Sequence, residues 1–157
     1  MRPSETVEEA RVRVVANLKK GMRCPCCGQL AKKYKRHLNW SMARALIWLV
    51  RASPHREDGW VDLADAPKFV HESRELAKLA HWKLIEEKPA ASKRGARCPG
   101  IWRPTARGIR FAKAEIALSS WVMLYDNRIL EFSKKPITII KALGKKFNFD
   151  ELWRGIG

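Results

Sequence analysis

Residues 72–112 read ESRELAKLAHWKLIEEKPAASKRGARCPGIWRPTARGIRFA, and the order of patterns within them decides the fold. Leu76, Leu79, Ala80 and Leu84 form an apolar stripe that predicts a helix from Glu72 or Ser73 to about Trp82. Arg74, Lys78 and His81 fall on its other face at i, i+4 and i+7. Leu84 to Lys88 predicts a strand, Pro89 to Gly100 a loop carrying Lys93, Arg94 and Arg97, and Ile101 to Arg103 a second strand. Thr105 to Gly108 opens a further helix through Phe111 to about Ile116. A basic helix followed by a basic hairpin suits a polyanion, the helix entering a groove and the loop gripping its backbone.

Working outward towards the N-terminus, Trp60 to Leu63 alternates like a short strand, and Asp65 is placed to cap a brief helix starting at Ala66-Pro67. Before it, Asn39 or Ser41 caps the clearest helix of the chain. Met42, Ala45, Leu46, Leu49 and Val50 give that helix a broad apolar stripe, and Ser53-Pro54 ends it. The first helix is expected over Ser4 to Lys20, with Thr6 and Glu9 spaced as a capping box and Gly21 as its stop. Towards the C-terminus, Val122–Tyr125 and Arg128–Phe132 flank Asp126-Asn127, a tight-turn pair that predicts a hairpin. A short helix over Ile137 to Leu143 and an aromatic-rich end at Phe147 to Trp153 complete an apolar tail suited to homodimerisation or packing rather than DNA contact.

The string from Leu76 to Ala112 resembles the reading helix, wing and closing helix of MarR-like winged helix-turn-helix regulators. Leu79, Leu84, Ile85, Thr105 and Gly108 occupy the places of that family's Leu, Leu-Ile and Thr-x-x-Gly pattern. Lys83 stands where the family has Gly, and the loop lacks its Asp-x-Arg. The resemblance spans about Asn39 to Ala117. The whole chain is also similar to uncharacterised phage and prophage proteins with an N-terminal CPxCG motif. The resemblance implies a fold that is mainly α with a small β part (α+β), a winged helix over 39–117. To it are added an N-terminal helix and cysteine knuckle over 1–38 and a hairpin-helix extension over 118–157. It also implies double-stranded DNA as partner and transcriptional regulation as function. Ser73, Arg74, Lys78 and His81 would then face base edges, Lys93, Arg94 and Arg97 would act from the wing, and Arg107 and Arg110 would meet nearby phosphates.

Charge points the same way. There are 32 Lys and Arg against 16 Asp and Glu, a formal net charge of +16, where about 2–8 serves for the solubility of a small domain. No acid falls between Ala10 and Arg56, nor between Lys88 and Ala114. Uneven charge of this size is a nucleic-acid footprint. Lys32, Lys33, Lys35 and Arg36 frame Tyr34, a pattern that fits RNA contact as well as a solvated linker. No window approaches 18 uninterrupted apolar residues, and the N-terminus is polar, so no membrane partner is expected and a cytoplasmic location follows.

Cys24 and Cys27 have CxxC spacing, with Gly28 free to take the turn that aims two thiolates at one ion, so zinc is the candidate cofactor. Completion falls to His37, Cys98, Cys26 or a second subunit. The alternative is a set of free thiols. Enzyme motifs are missing. His71 to Glu75 lacks the second His of the zincin helix, Gly95 to Gly100 lacks the lysine of a P-loop, and no nucleophile elbow occurs. The protein is expected not to be an enzyme. Rival expectations to DNA are a module that binds and redirects a host protein, and an RNA-binding protein using Cys24 to Arg36.

Overall fold

In the computed structural model, which describes residues 4–89 and 97–155, the chain begins with the expected capping box. Glu9 N–H donates to Thr6 Oγ1 (3.2 Å) and Thr6 N–H to Glu9 Oε2 (2.8 Å), opening α1 (Val7–Ala16). The helix ends a turn before Gly21 and buries only Ala10, which leaves Val7, Val12 and Val15 exposed. Strands β1 (Met22–Arg23) and β2 (Leu30–Ala31) pair antiparallel around the cysteine-bearing turn. The basic run that follows is not a linker, because Tyr34–His37 form strand β3.

Helix α2 (Trp40–Ala52) starts where Asn39 Oδ1 accepts the Met42 N–H at 2.9 Å. Met42, Ala43, Ala45, Leu46, Ile47, Leu49 and Val50 are all buried, more than one stripe can supply, so α2 is an enclosed helix rather than a surface one. After a 3₁₀ turn at Ser53–His55 comes β4 (Val61–Asp62). Asp65 caps nothing, since the next helix starts after Pro67 without a side-chain cap, and it is Asp62 that caps a separate 3₁₀ turn at Leu63–Asp65. Its carboxylate accepts the Ala64 N–H at 2.9 Å, while Asp65 pairs with Arg56 on the surface. Helix α3 (Lys68–Ser73) follows Pro67.

The single helix expected from Glu72 or Ser73 to Trp82 is a helix end, a kink and a 3₁₀ helix. Arg74 takes the left-handed conformation (φ +54°) and Leu76–Trp82 winds as 3₁₀. The cause lies in the spacing: Leu76, Leu79 and Trp82 are three apart, and all are buried. At 3.0 residues per turn these three eclipse on one face, whereas α-helical winding would swing Trp82 off it. Strands β5 (Ile85–Pro89) and β6 (Arg97–Pro104) extend further into the expected loop than Leu84–Lys88 and Ile101–Arg103 did. They form a three-stranded antiparallel sheet in the order β4-β6-β5, with Val61 opposite Trp102 and Ile85 opposite Pro104. Helix α4 (Ala106–Ala112) stops short of Ile116 because Ala114 is left-handed (φ +62°). Strand β7 (Leu118–Ser119) closes the segment.

Strands β8 (Trp121–Tyr125) and β9 (Arg128–Phe132) form the expected hairpin, with Asp126 (φ +49°) and Asn127 (φ +60°) both positive, as a type I′ turn requires. Strand β10 (Pro136–Ile137) pairs with β7. Helices α5 (Ile139–Leu143) and α6 (Phe149–Trp153), capped by Thr138 and Asn148, bury Ile139, Leu143 and Leu152 against α2.

Two compact units result, and they cut across the three consecutive segments expected. One comprises Met1–His37 and Trp121–Lys134, where β8 pairs with β3 on one side and β9 on the other. The other comprises Leu38–Ser120 and Lys135–Gly157, centred on α2. The 118–157 tail is therefore not a separate extension. Its hairpin belongs to the first unit's sheet, and its helices pack against α2 in the second. The fold is a mixture of helices and antiparallel strands.

Candidate nucleic-acid interface

The 3₁₀ helix is held from behind by the start of α4. Three successive carbonyls at its end each receive a donor: Arg107 Nε donates to Trp82 O (3.0 Å), Thr105 Oγ1 to Lys83 O (2.7 Å) and Thr105 N–H to Leu84 O (3.0 Å). Thr105 Oγ1 also accepts the Gly108 N–H at 3.0 Å, capping α4. Gly108 lets the helix come this close, since a Cβ built on it would lie 1.9 Å from Leu84 O. The Thr-x-x-Gly pattern is thus a clamp joining α4 to the 3₁₀ helix and β5. Lys83, which ends the 3₁₀ helix, is left-handed (φ +59°), a conformation that glycine adopts without a steric penalty.

On this frame the expected contact residues have different standing. Arg74 is exposed, but it sits on the kink between α3 and the 3₁₀ helix, not on a helix face shared with Lys78 and His81. Lys78 is tied to Glu75 at 2.9 Å with both side chains largely covered, so its charge is locally neutralised. The pair is i, i+3, and His81 follows at the next 3₁₀ turn, partly exposed and edge-on to Trp82. Ser73 Oγ bonds within the kink, donating to Val70 O (3.3 Å) and accepting from Glu75 N–H (3.4 Å). Arg107 spends Nε on the clamp and keeps an exposed side chain, while Arg110 lies 3.9 Å from Glu115 on the surface.

Lys93 and Arg94 lie outside the described residues, and Arg97 is placed by its backbone alone, opposite Pro89 at the start of β6. Sequence reasoning missed Lys83 and Lys113. Both are exposed: Lys83 ends the 3₁₀ helix, and Lys113 caps the C-terminus of α4, one residue past the helix that carries Arg107 and Arg110. Arg103 is committed elsewhere, stacked 4.1 Å above the Trp60 ring and paired with Glu86. Arg44 is also withdrawn from solvent: it lies between the rings of Phe69 (3.7 Å) and Phe147 (4.4 Å), and burial lowers its pKa below the usual arginine value.

In the other unit, Cys24 N–H donates to Gln29 O (2.7 Å) and Gly28 N–H to Cys24 O (2.9 Å), with Gly28 at φ +75°. The backbone amides of Cys27 and Cys26 donate to the Cys24 sulfur and hold its pKa below the ordinary thiol range. Cys26 and Cys27 are exposed, and none of the three is in a disulfide. Among the described residues, no three His, Cys, Asp or Glu stand in an arrangement that could hold a metal ion. His37 lies in β3 opposite Trp121, and the Cys98 side chain lies outside what the structure describes. No helix among the described residues is long and apolar enough to cross a membrane. Comparison with protein-family models, curated proteins and solved structures finds no match.

Proposed function

We propose that the unit built on α2 is a winged-helix domain that binds double-stranded DNA, as a transcriptional regulator or accessory factor. The observation that carries this is the order α2, β4, α3, 3₁₀ helix, β5, β6 with β4 hydrogen-bonded to the far hairpin strand. That connectivity sets a hairpin beside the 3₁₀ helix, which is how a winged helix presents a reading element and a cationic loop together. The reading element is Ser73–His81, with Arg74 its exposed cation. The β5–β6 connection carries Lys93 and Arg94, Arg97 opens β6 beside it, and Lys83, Arg107 and Arg110 add charge for phosphates.

A titration of the full chain against duplex DNA and single-stranded RNA of matched sequence tests it. Tighter binding to the duplex is expected. Tighter binding to the RNA, or no binding to the duplex at about 50 mM salt, sinks the proposal. One observation favours a second reading, a protein-interaction module: every residue of the edge strand β9 is exposed, including Ile129, Leu130 and Phe132. Unpaired apolar edges invite strand addition by another chain. Retention of a host protein by the full chain, lost on Leu130→Lys, together with no affinity for DNA, is the result that reading requires.

A further inference from the structure

The cysteine turn is a preformed clip that brings the sulfurs of Cys24 and Cys27 together. β1 and β2 hold its ends in register, Met22 opposite Ala31 and Arg23 opposite Leu30, and Arg23 donates to Gly28 O at 2.9 Å. The backbone amides of Cys27 and Cys26 are both aimed at the Cys24 sulfur, which fixes its place in the turn. A structural zinc ion takes four ligands in tetrahedral array, and this clip offers two. The tip is unobstructed: nothing lies within 4 Å of a Cβ built on Gly28. An open concavity of about 380 Å³ lies against it, lined by Cys24, Cys27, Lys32, Tyr34 and Arg36.

We propose that Cys24 and Cys27 are half of a structural zinc site completed by the same two cysteines of a second copy of the chain. Four thiols give up their protons to solvent as the metal enters, and the resulting site carries a charge of −2. That charge suits its setting, because this unit holds twelve Lys and Arg against five Asp and Glu, a net of +7 that would otherwise oppose close approach of two copies. The unit also has apolar surface to cover on association. Leu30 beside the clip is 55% exposed, and Ile129, Leu130 and Phe132 stand uncovered on β9. The inference is independent of DNA binding, although a two-fold pair of chains would match a palindromic site.

The test is metal titration of the reduced, metal-free full chain with Zn²⁺ and Co²⁺, read by thiolate–cobalt absorbance and by mass in solution. Uptake should saturate at about half an ion per chain, with conversion of monomer to dimer. Both should be lost in Cys24→Ser and in Cys27→Ser and kept in Cys26→Ser. The stoichiometry of the unmodified chain needs no variant to fold. No uptake overturns the proposal, as does one ion per monomer, which would place the remaining ligands within a single chain.

Discussion

Gly108→Ala separates the clamp from ordinary helix preference, because the two make opposite forecasts. By propensity alone, alanine in place of glycine inside α4 stabilises by about 1 kcal/mol. The structure puts the new Cβ 1.9 Å from Leu84 O, 2.9 Å from Leu84 C and 3.3 Å from Leu84 Cα. All three are backbone atoms, so no side-chain rotation relieves the overlap. Restoring even 3.0 Å requires the helix and strand to part by about 1.1 Å, the difference between 3.0 and 1.9 Å. Such a shift lengthens the 3.0 Å bond from Thr105 N–H to Leu84 O and the 2.7 Å bond from Thr105 Oγ1 to Lys83 O, each contributing about 1 kcal/mol. Overpacking adds about 1–3 kcal/mol. After the propensity gain, the expected loss is about 2–4 kcal/mol. For a domain of this size it should lower Tm by roughly 10 °C or more. Thermal and urea unfolding followed by circular dichroism measure it. A variant as stable as the parent would refute the close approach of α4 to Leu84.

Other outcomes follow from single residues. Lys83→Gly should be neutral or stabilising by up to about 1 kcal/mol in urea unfolding, since glycine adopts the observed φ of +59° without steric penalty. A clear loss of stability would mean that the lysine is not left-handed in solution. Arg74→Ala should weaken a specific DNA site by about 1–3 kcal/mol, and Lys78→Ala by less, because Glu75 already holds that lysine. Equal losses in a gel-shift series would show that the ion pair opens on binding.

Much of the fold was legible because it is locally encoded. The Thr6–Glu9 box, the Asn39 cap and the Asp126-Asn127 turn are each set by neighbours within a few residues. Helix α2 announced itself through its stripe, and Thr105 and Gly108 were picked out before their role as a clamp could be seen. What escaped is non-local or finely balanced. Pairing of β3 with β8 joins residues more than eighty positions apart, and no local pattern marks it. The same blindness made the tail look like a separate extension, because α5 and α6 carry short apolar runs that do not say which helix they cover. The 3₁₀ helix was missed for a subtler reason. Leu76, Leu79 and Ala80 fit the α period, and only Trp82 breaks the tie towards a period of three. That error moved Arg74 from a reading face to a kink and hid the Glu75–Lys78 pair, so the candidate contact residues changed standing more than the element order did.

The central claim is that the connection between β5 and β6, with Arg97 at the start of β6, meets the backbone of duplex DNA, and salt dependence tests it most directly. The affinity of the unmodified chain for one duplex should fall linearly on a log–log plot as salt rises. Replacing Lys93, Arg94 and Arg97 together by alanine should flatten that slope by about 2.7, at about 0.9 for each phosphate no longer neutralised. Identical slopes for the two proteins would contradict the account.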